Sequence, residues 1–383
     1  MHLVLARTPD APAGVKGISL FVVPKFLLND DGSQGARNDA HCVSIEHKLG
    51  IHASPTCVMS FGDKEGAVGY LVGEENRGLM YMFTMMNEAR LAVGIEGYGV
   101  AEMAYQHALA FSRERKQGPV LLGEESDVAA IVNHPDVRRM LMAMRSQVSA
   151  ARVLAYDCAA AFDFASRHPD EDTRARFKRR GELLTPIVKG WSTEIGVELC
   201  SLGVQIHGGM GFVEETGAAQ YLRDSRITPI YEGTTGIQAN DLLGRKTQFD
   251  GGQGIADLLT DMRATEEALA ASNNAEGARA LAALTEAIQL ISEVSEKILQ
   301  EESAVVAASA ANDYLMLMGY ATGVWAMARS VLATEKLDDE AFVKAELASA
   351  CFYFDNVAPH AIGHHVAIMR SDHDYYQLDQ AAL

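Results

Sequence analysis

Positive charge is scarce in this sequence: 33 lysines and arginines face 51 aspartates and glutamates, a net charge of −18. That balance argues against nucleic acid or an anionic membrane as the main partner, because both repel an acidic surface. Cysteine is sparse too, with five residues at 42, 57, 158, 200 and 351, odd in number and without a CxxC pair. A disulfide framework and a zinc site are therefore not expected, and a reduced, cytoplasmic protein is. No apolar run approaches transmembrane length, so no transmembrane segment is expected. The opening "MHLVLARTPDAPAG" has no basic stretch followed by a signal-peptide core.

What is present is a globular composition, 48% apolar and 22% charged, in 383 residues. That length exceeds what one hydrophobic core usually serves, so two or three domains are expected. Residues 1–73 read as strands: "HLVLAR", "GISLFVVPKFL", "TCVMSFG" and "AVGYLVG" are β-rich runs, with "LLNDDGSQGARND" as a loop. From Gly78 the pattern turns helical, with a first helix over 78–115. A second helix starts at "NHPDVRRM", capped by Asn133 or His134 with Pro135 in its first turn, and ends before Pro169. A third covers 172–202, with Gly181 and Pro186 as irregularities. The turn "HGGMGF" follows, then a short helix near 216–224 and another opening at "GTTGIQANDLLGRK", with Thr234 or Thr235 as its N-cap. After "QFDGGQG" the chain reads as helix to about residue 370. The expected fold is mainly α with a partial β domain: 1–73 as part of a β domain, 74–247 as a helical bundle, and 248–383 as an additional helical domain.

Several local strings could carry chemistry. "HGGMG" is not GxGxxG and reads alone as a helix C-cap and turn. "SRERKQG" places Arg115 where it either complements a helix dipole or clamps a diphosphate. "RARFKRRG" reads as a solvated basic face. His360 and His364 lie at i, i+4 spacing with His373 nearby, but no HExxH accompanies them, and no metal site is expected. Glu232, in "PIYEGTTGIQ", is either an acidic residue at a helix entrance or a carboxylate among apolar neighbours whose pKa suits a general base.

Taken in order, "HKLGIHASPTCVMSFGD", "LVGEENRGL", "RERKQG", "VQIHGGMGF" and "YLRDSRITPIYEGTTGIQANDLLGRK" resemble the flavin-dependent acyl-CoA dehydrogenases. The long "ITPIYEGTTGIQANDLLGRK" and the extra helical C-terminal region are most similar to the 3-methylmercaptopropionyl-CoA dehydrogenase branch. The resemblance implies an FAD enzyme that makes a trans-2-enoyl-CoA from an acyl-CoA and passes electrons to an electron-transfer flavoprotein. It implies Glu232 as the catalytic base. It places Arg115, Gln117, Gln205, Gly208, Gly209, Thr234 and Gln238 on the flavin, with the glycine loop commonly serving a neighbouring subunit, hence a homo-oligomer. Arg90, Tyr231 and Gly233 fall on the acyl-CoA side. Two positions depart from the family pattern: Asn87 stands where an acidic residue is expected, and no aromatic follows Arg115. The chain begins at a strand that corresponds to the middle of the family's β domain. The alternative to an enzyme is a catalytically incompetent remnant acting as a helical assembly module.

Overall fold

The computed structural model describes residues 1–120, 128–370, 378, 379 and 381. They fall into two compact units, Met1–Ala89 and Arg90–Leu383. The first contains seven strands: β1 (His2–Ala6), β2 (Ser19–Val23), β3 (Phe26–Leu28), β4 (Gln34–Arg37), β5 (Ala40–Ile45), β6 (Cys57–Phe61) and β7 (Tyr70–Val72). They pair antiparallel as β1-β2-β7, β3-β4 and β5-β6. Pro24 divides the run "GISLFVVPKFL" into β2 and β3, since it offers no N–H to a ladder. The expected loop over "LLNDDGSQGARND" is instead a hairpin. Its turn closes with Asn29 N–H on the Ser33 carbonyl (2.9 Å) and Gly32 at φ +80°. β5 was not expected either, because most of its side chains face outward and its sequence lacks the apolar alternation of a half-buried strand.

The helices are α1 (Gly78–Glu114), α2 (Pro135–Arg167), α3 (Glu171–His207), α4 (Ala218–Ser225), α5 (Thr235–Asn240), α6 (Gln253–Ala271), α7 (Gly277–Gln300), α8 (Ala304–Ser309), α9 (Ala311–Thr334), α10 (Glu340–Phe352) and α11 (His360–Arg370). Pro135 opens α2 as expected, although the His134 side chain makes no capping bond. α3 is capped by Asp170, which accepts from the Thr173 N–H at 2.8 Å, and it runs unbroken through Gly181 and Pro186. Tight packing holds those positions in line: a Cβ on Gly181 would stand 3.0 Å from the Phe162 ring. Beyond α5 the chain winds as a π-helix from Asp241 to Gln248.

One continuous core joins the helices before and after residue 248. Trp191 of α3 is fully enclosed and lies on a glycine face of α9, where a Cβ on Gly319 would stand 2.2 Å from its Cγ. Tyr353 meets the same face at Gly323. α9 is long and apolar enough to cross a membrane, which qualifies the sequence expectation, but 78% of its most apolar window is buried inside the protein. The "RARFKRRG" segment is not a solvated face. Arg176 and Arg180 pair with Asp261, Arg179 with Asp257 at 2.7 Å, and Arg180 with Asp157 at 3.0 Å. Arg180 also lies over the Trp325 ring, 4.7 Å from its centroid. The basic residues face acidic residues on α2 and α6, a partnership that no local string reveals. Of the C-terminal histidines, His364 takes Asp313 at 2.8 Å and stacks on Tyr320, against which His360 also packs. His373 lies outside the described residues.

Candidate active site

The site is built on the loop between α4 and α5. Turns at Ser225–Thr228 and Ile227–Tyr231 bring the chain to Glu232 and Gly233, both left-handed at φ +55° and +94°. Glycine suits position 233 for a second reason, since a Cβ there would stand 2.8 Å from Gln238 Nε2. A glutamate in this region costs about 1 kcal/mol, and such outliers cluster at functional sites. Thr234 then caps α5, its hydroxyl accepting from the Ile237 N–H at 3.3 Å.

Side chains from α1 and α3 pin this loop. Tyr231 donates its hydroxyl to Glu96 of α1, and burial, reinforced by that carboxylate, pushes the phenol pKa up. Thr235 donates its hydroxyl to Glu194 of α3, and its N–H reaches the Pro229 carbonyl at 3.0 Å. Lys189 of α3, 0% exposed, donates to the Thr228 carbonyl at 2.8 Å. Burial lowers its pKa to about 8, with Glu194 and Glu232 acting against that fall and Arg90 adding to it. Arg90 is buried and faces Asp241 at 3.4 Å, at the first residue of the π-helical turn, where such turns are frequent at functional sites. α1 and α3 approach closely enough for this because they meet at glycines: a Cβ on Gly196 would stand 2.6 Å from the Gly97 carbonyl oxygen.

Glu232 itself is half-buried, and neither its carboxylate nor its N–H has a hydrogen-bond partner among the described residues. Gln238 is buried, donates to the Gly233 carbonyl at 3.3 Å, and leaves its Oε1 unpartnered. The arrangement is an unpartnered carboxylate on the same short loop as one orphaned buried acceptor.

Arg90, Tyr231, Glu232, Gly233, Thr234 and Gln238 are thus brought together. Tyr231 is engaged by Glu96 rather than left open. The other expected residues lie elsewhere. Gln205, Gly208 and Gly209 are exposed at the C-terminal end of α3, sixteen residues beyond Lys189, a span of about 24 Å along a helix. Side chains on Gly208 or Gly209 would meet open space, whereas one on Gly211 would stand 2.3 Å from the Val204 carbonyl oxygen. Gly211 therefore serves the fold, and the first two leave room for something else. Arg115 and Gln117 are exposed just past α1, their backbone bonded to Ala129 and Ile131. Phe111 stacks on His207 at 4.4 Å, so the ends of α1 and α3 share one neighbourhood.

Sequence reasoning missed Lys189, Glu96, Glu194 and Asp241. Lys189 had a visible signal, as a lone charge in "LLTPIVKGWSTEIG", where α3 is apolar on every side. The two glutamates had none, because their partners are distant in sequence.

Comparison with known proteins gives this geometry a context. Residues 76–247 match the family described as acyl-CoA dehydrogenase, C-terminal domain, and residues 258–379 the one described as acetyl-CoA dehydrogenase C-terminal like. The 3-methylmercaptopropionyl-CoA dehydrogenase of Ruegeria pomeroyi is 47% identical over 96% of this chain and 63% of its own length. A butyryl-CoA dehydrogenase of Syntrophomonas wolfei is 32% identical over 97% of this chain and 63% of its own. Among solved structures, Caenorhabditis elegans ACDH-11 in complex with C11-CoA superposes with a TM-score of 0.70 at 22% identity, covering 94% of this chain and 56% of that one. An acyl-CoA dehydrogenase from Bacillus anthracis complexed with FAD gives 0.69 at 20% identity, covering 96% and 60%. The chain therefore spans less than two thirds of the length of these relatives. Two consecutive domain matches and near-complete coverage at 47% identity lead to one conclusion: this chain belongs to the acyl-CoA dehydrogenase family.

Proposed function

We propose that this protein oxidises an acyl-CoA thioester, of the methylthio-acyl or fatty acyl class, to its trans-2-enoyl-CoA with FAD. It would pass the electrons to an electron-transfer flavoprotein in the cytoplasm. The observation that carries the reading is Glu232, an unpartnered carboxylate on a left-handed turn. The names of the relatives and the fold they share point to the same chemistry.

The residues fit a flavin on one further observation, the buried and unpartnered Oε1 of Gln238, which asks for a ligand donor. Thr234 and Gln238 would hold the cofactor beside the base, and Arg115 and Gln117, which share the neighbourhood of the α3 C-terminus, would face the diphosphate of an FAD held mainly by a second subunit. When bound, FAD supplies the acceptor for hydride from the substrate β-carbon. Glu232 takes the α-proton, a weak acid that only a desolvated base working with a stabilised thioester oxygen removes. The free N–H of Glu232 is suited to that oxygen. Arg90, Tyr231 and Gly233 border the acyl-CoA, Arg90 and Tyr231 with their polar ends already held by Asp241 and Glu96. Gln205, Gly208 and Gly209 lie too far along α3 for the same cofactor site and are assigned to FAD held mainly by a second subunit, so a homo-oligomer is part of the proposal. Segments 1–73, 74–247 and 248–383 are then part of a β domain, the catalytic helical bundle and an additional helical domain.

The test is flavin reconstitution followed by acyl-CoA. The protein should turn yellow with FAD, and butyryl-CoA or 3-methylthiopropionyl-CoA should bleach it. Glu232→Gln should keep the colour and slow bleaching by about 10² to 10⁴. Undiminished bleaching in that variant removes Glu232 from the mechanism. A colourless chain that FAD does not reconstitute favours the helical assembly module instead.

A further inference from the structure

Two histidines meet where the ends of α1 and α3 come together. Phe111 of α1 stacks on His207 with ring centroids 4.4 Å apart, and His107 of α1 lies 4.6 Å from the same imidazole. His207 is buried, and its Nδ1 is 2.7 Å from the Gly203 carbonyl oxygen. A carbonyl only accepts, so Nδ1 carries the proton and Nε2 the lone pair. That Nε2 is enclosed and has no hydrogen-bond partner among the described residues, and the same holds for His107 Nδ1. Enclosed polar atoms are almost always bonded, so two orphaned nitrogens on neighbouring rings call for a reason.

The tight turn Gly208–Phe212 leaves directly from His207 and folds back on it. A Cβ on Gly211 would stand 3.0 Å from the His207 Cβ, while Gly208 and Gly209 are exposed. A second proton on His207 would find nothing to receive it. No carboxylate is bonded to or paired with either imidazole among the described residues. Tyr221 of α4 stands edge-on to His107 at 5.9 Å, and Arg223 of α4 is taken by Glu214 at 3.0 Å. Arg113 and Glu114 of α1 and Asp136, Arg138 and Arg139 of α2 are exposed, and Gly208–Phe212 contains no ionisable residue. Burial pushes the His207 pKa below the ordinary 6.5, the Gly203 carbonyl works against that fall, and His107 adds to it.

We propose that His207, in its stack with Phe111 and His107, is a pH-sensitive support for the Gly208–Phe212 turn. Neutral, it holds the turn; with a second proton it gives way. The consequence for flavin rests on the assignment of Gly208 and Gly209 to FAD held mainly by a second subunit.

Amide hydrogen exchange across 208–217, corrected for intrinsic rates, tests the support without turnover. With the folded-state pKa lowered, the closed turn is fully stable above about 6.5 and loses stability as the pH falls through the folded value. Opening should therefore grow by up to about tenfold per pH unit below that point. In His207→Phe, which keeps an aromatic ring in the stack, this growth should be missing. Equal growth in native protein and variant overturns the proposal. Nuclear magnetic resonance of the native protein with 15N-labelled histidine gives a second reading that needs no variant. It should show His207 as the Nδ1–H tautomer with a midpoint below 6.5. An Nε2–H tautomer or a midpoint at 6.5 or above refutes the idea.

Flavin retention separates this inference from the functional reading. FAD-loaded protein taken from about pH 7.5 to about 5.5 should release flavin, and His207→Phe should keep it. If both release it equally while their exchange differs, the turn loses its assignment to FAD and the support stands.

Discussion

The two compact units are held together in different ways. In Met1–Ala89 few side chains are enclosed, and Leu3, Leu5, Leu28, Val43, Ile45, Val58, Tyr70 and Leu71 are all exposed. Order there comes from backbone ladders and one buried asparagine. Asn38 donates to the carbonyls of Pro24 and Val68, both at 2.8 Å, and accepts from the Val68 N–H at 2.9 Å. In Arg90–Leu383 the reverse holds: large side chains such as Trp191, Tyr314 and Tyr353 are fully enclosed, and glycines leave the room they need. A substitution should therefore act in the first unit through lost hydrogen bonds and in the second through volume.

The strongest test of that contrast is Gly319→Val. The added carbons would overlap Trp191, and the cost should reach about 3 kcal/mol or more, read as a fall in the denaturant midpoint of the helical unit. An unchanged midpoint would show that α9 and α3 are not packed as described. Next in size is Asn38→Ala, which strips four hydrogen bonds from buried or half-buried groups and should cost about 2 kcal/mol. Amide hydrogen exchange should speed up across residues 1–73 while α2 and α3 keep their protection. Equal loss of protection in both units would dissolve the distinction. The smallest effect is expected at the loop itself. Thr234→Ala removes the cap of α5 and should cost about 1 kcal/mol of helical-unit stability by denaturant melt. No change at all would mean that the clamps from Glu96, Glu194 and Lys189 hold the loop unaided.

The sequence made the helical part legible because its signals are local. Pro135 opens α2, Thr234 caps α5, and a glycine follows α3 at His207. β4 and β5 were hidden because their outward side chains lack apolar alternation, and the turn that pairs β4 with its neighbour β3 reads in sequence as a plain loop. The family's ordered motifs singled out Glu232, Gly233 and Thr234, and the loop geometry groups these with Arg90 and Gln238. The groups behind Glu232 could not be read in that way. Glu96 and Tyr231 are 135 positions apart and Arg90 and Asp241 151 apart, and such pairs appear only once α1 and α3 cross at their glycines.

α3 has one more consequence. A single uninterrupted helix carries Lys189 and Glu194 near its middle and ends in the exposed Gly208–Gly209 turn. Rigid rods transmit phase as well as length. Inserting or deleting one residue between Glu194 and Gln205 would swing that turn by about 100° around the axis while moving it only about 1.5 Å. In this stretch the reading of the chain is a matter of angle, and a change in residue count should do more damage than a change in residue identity.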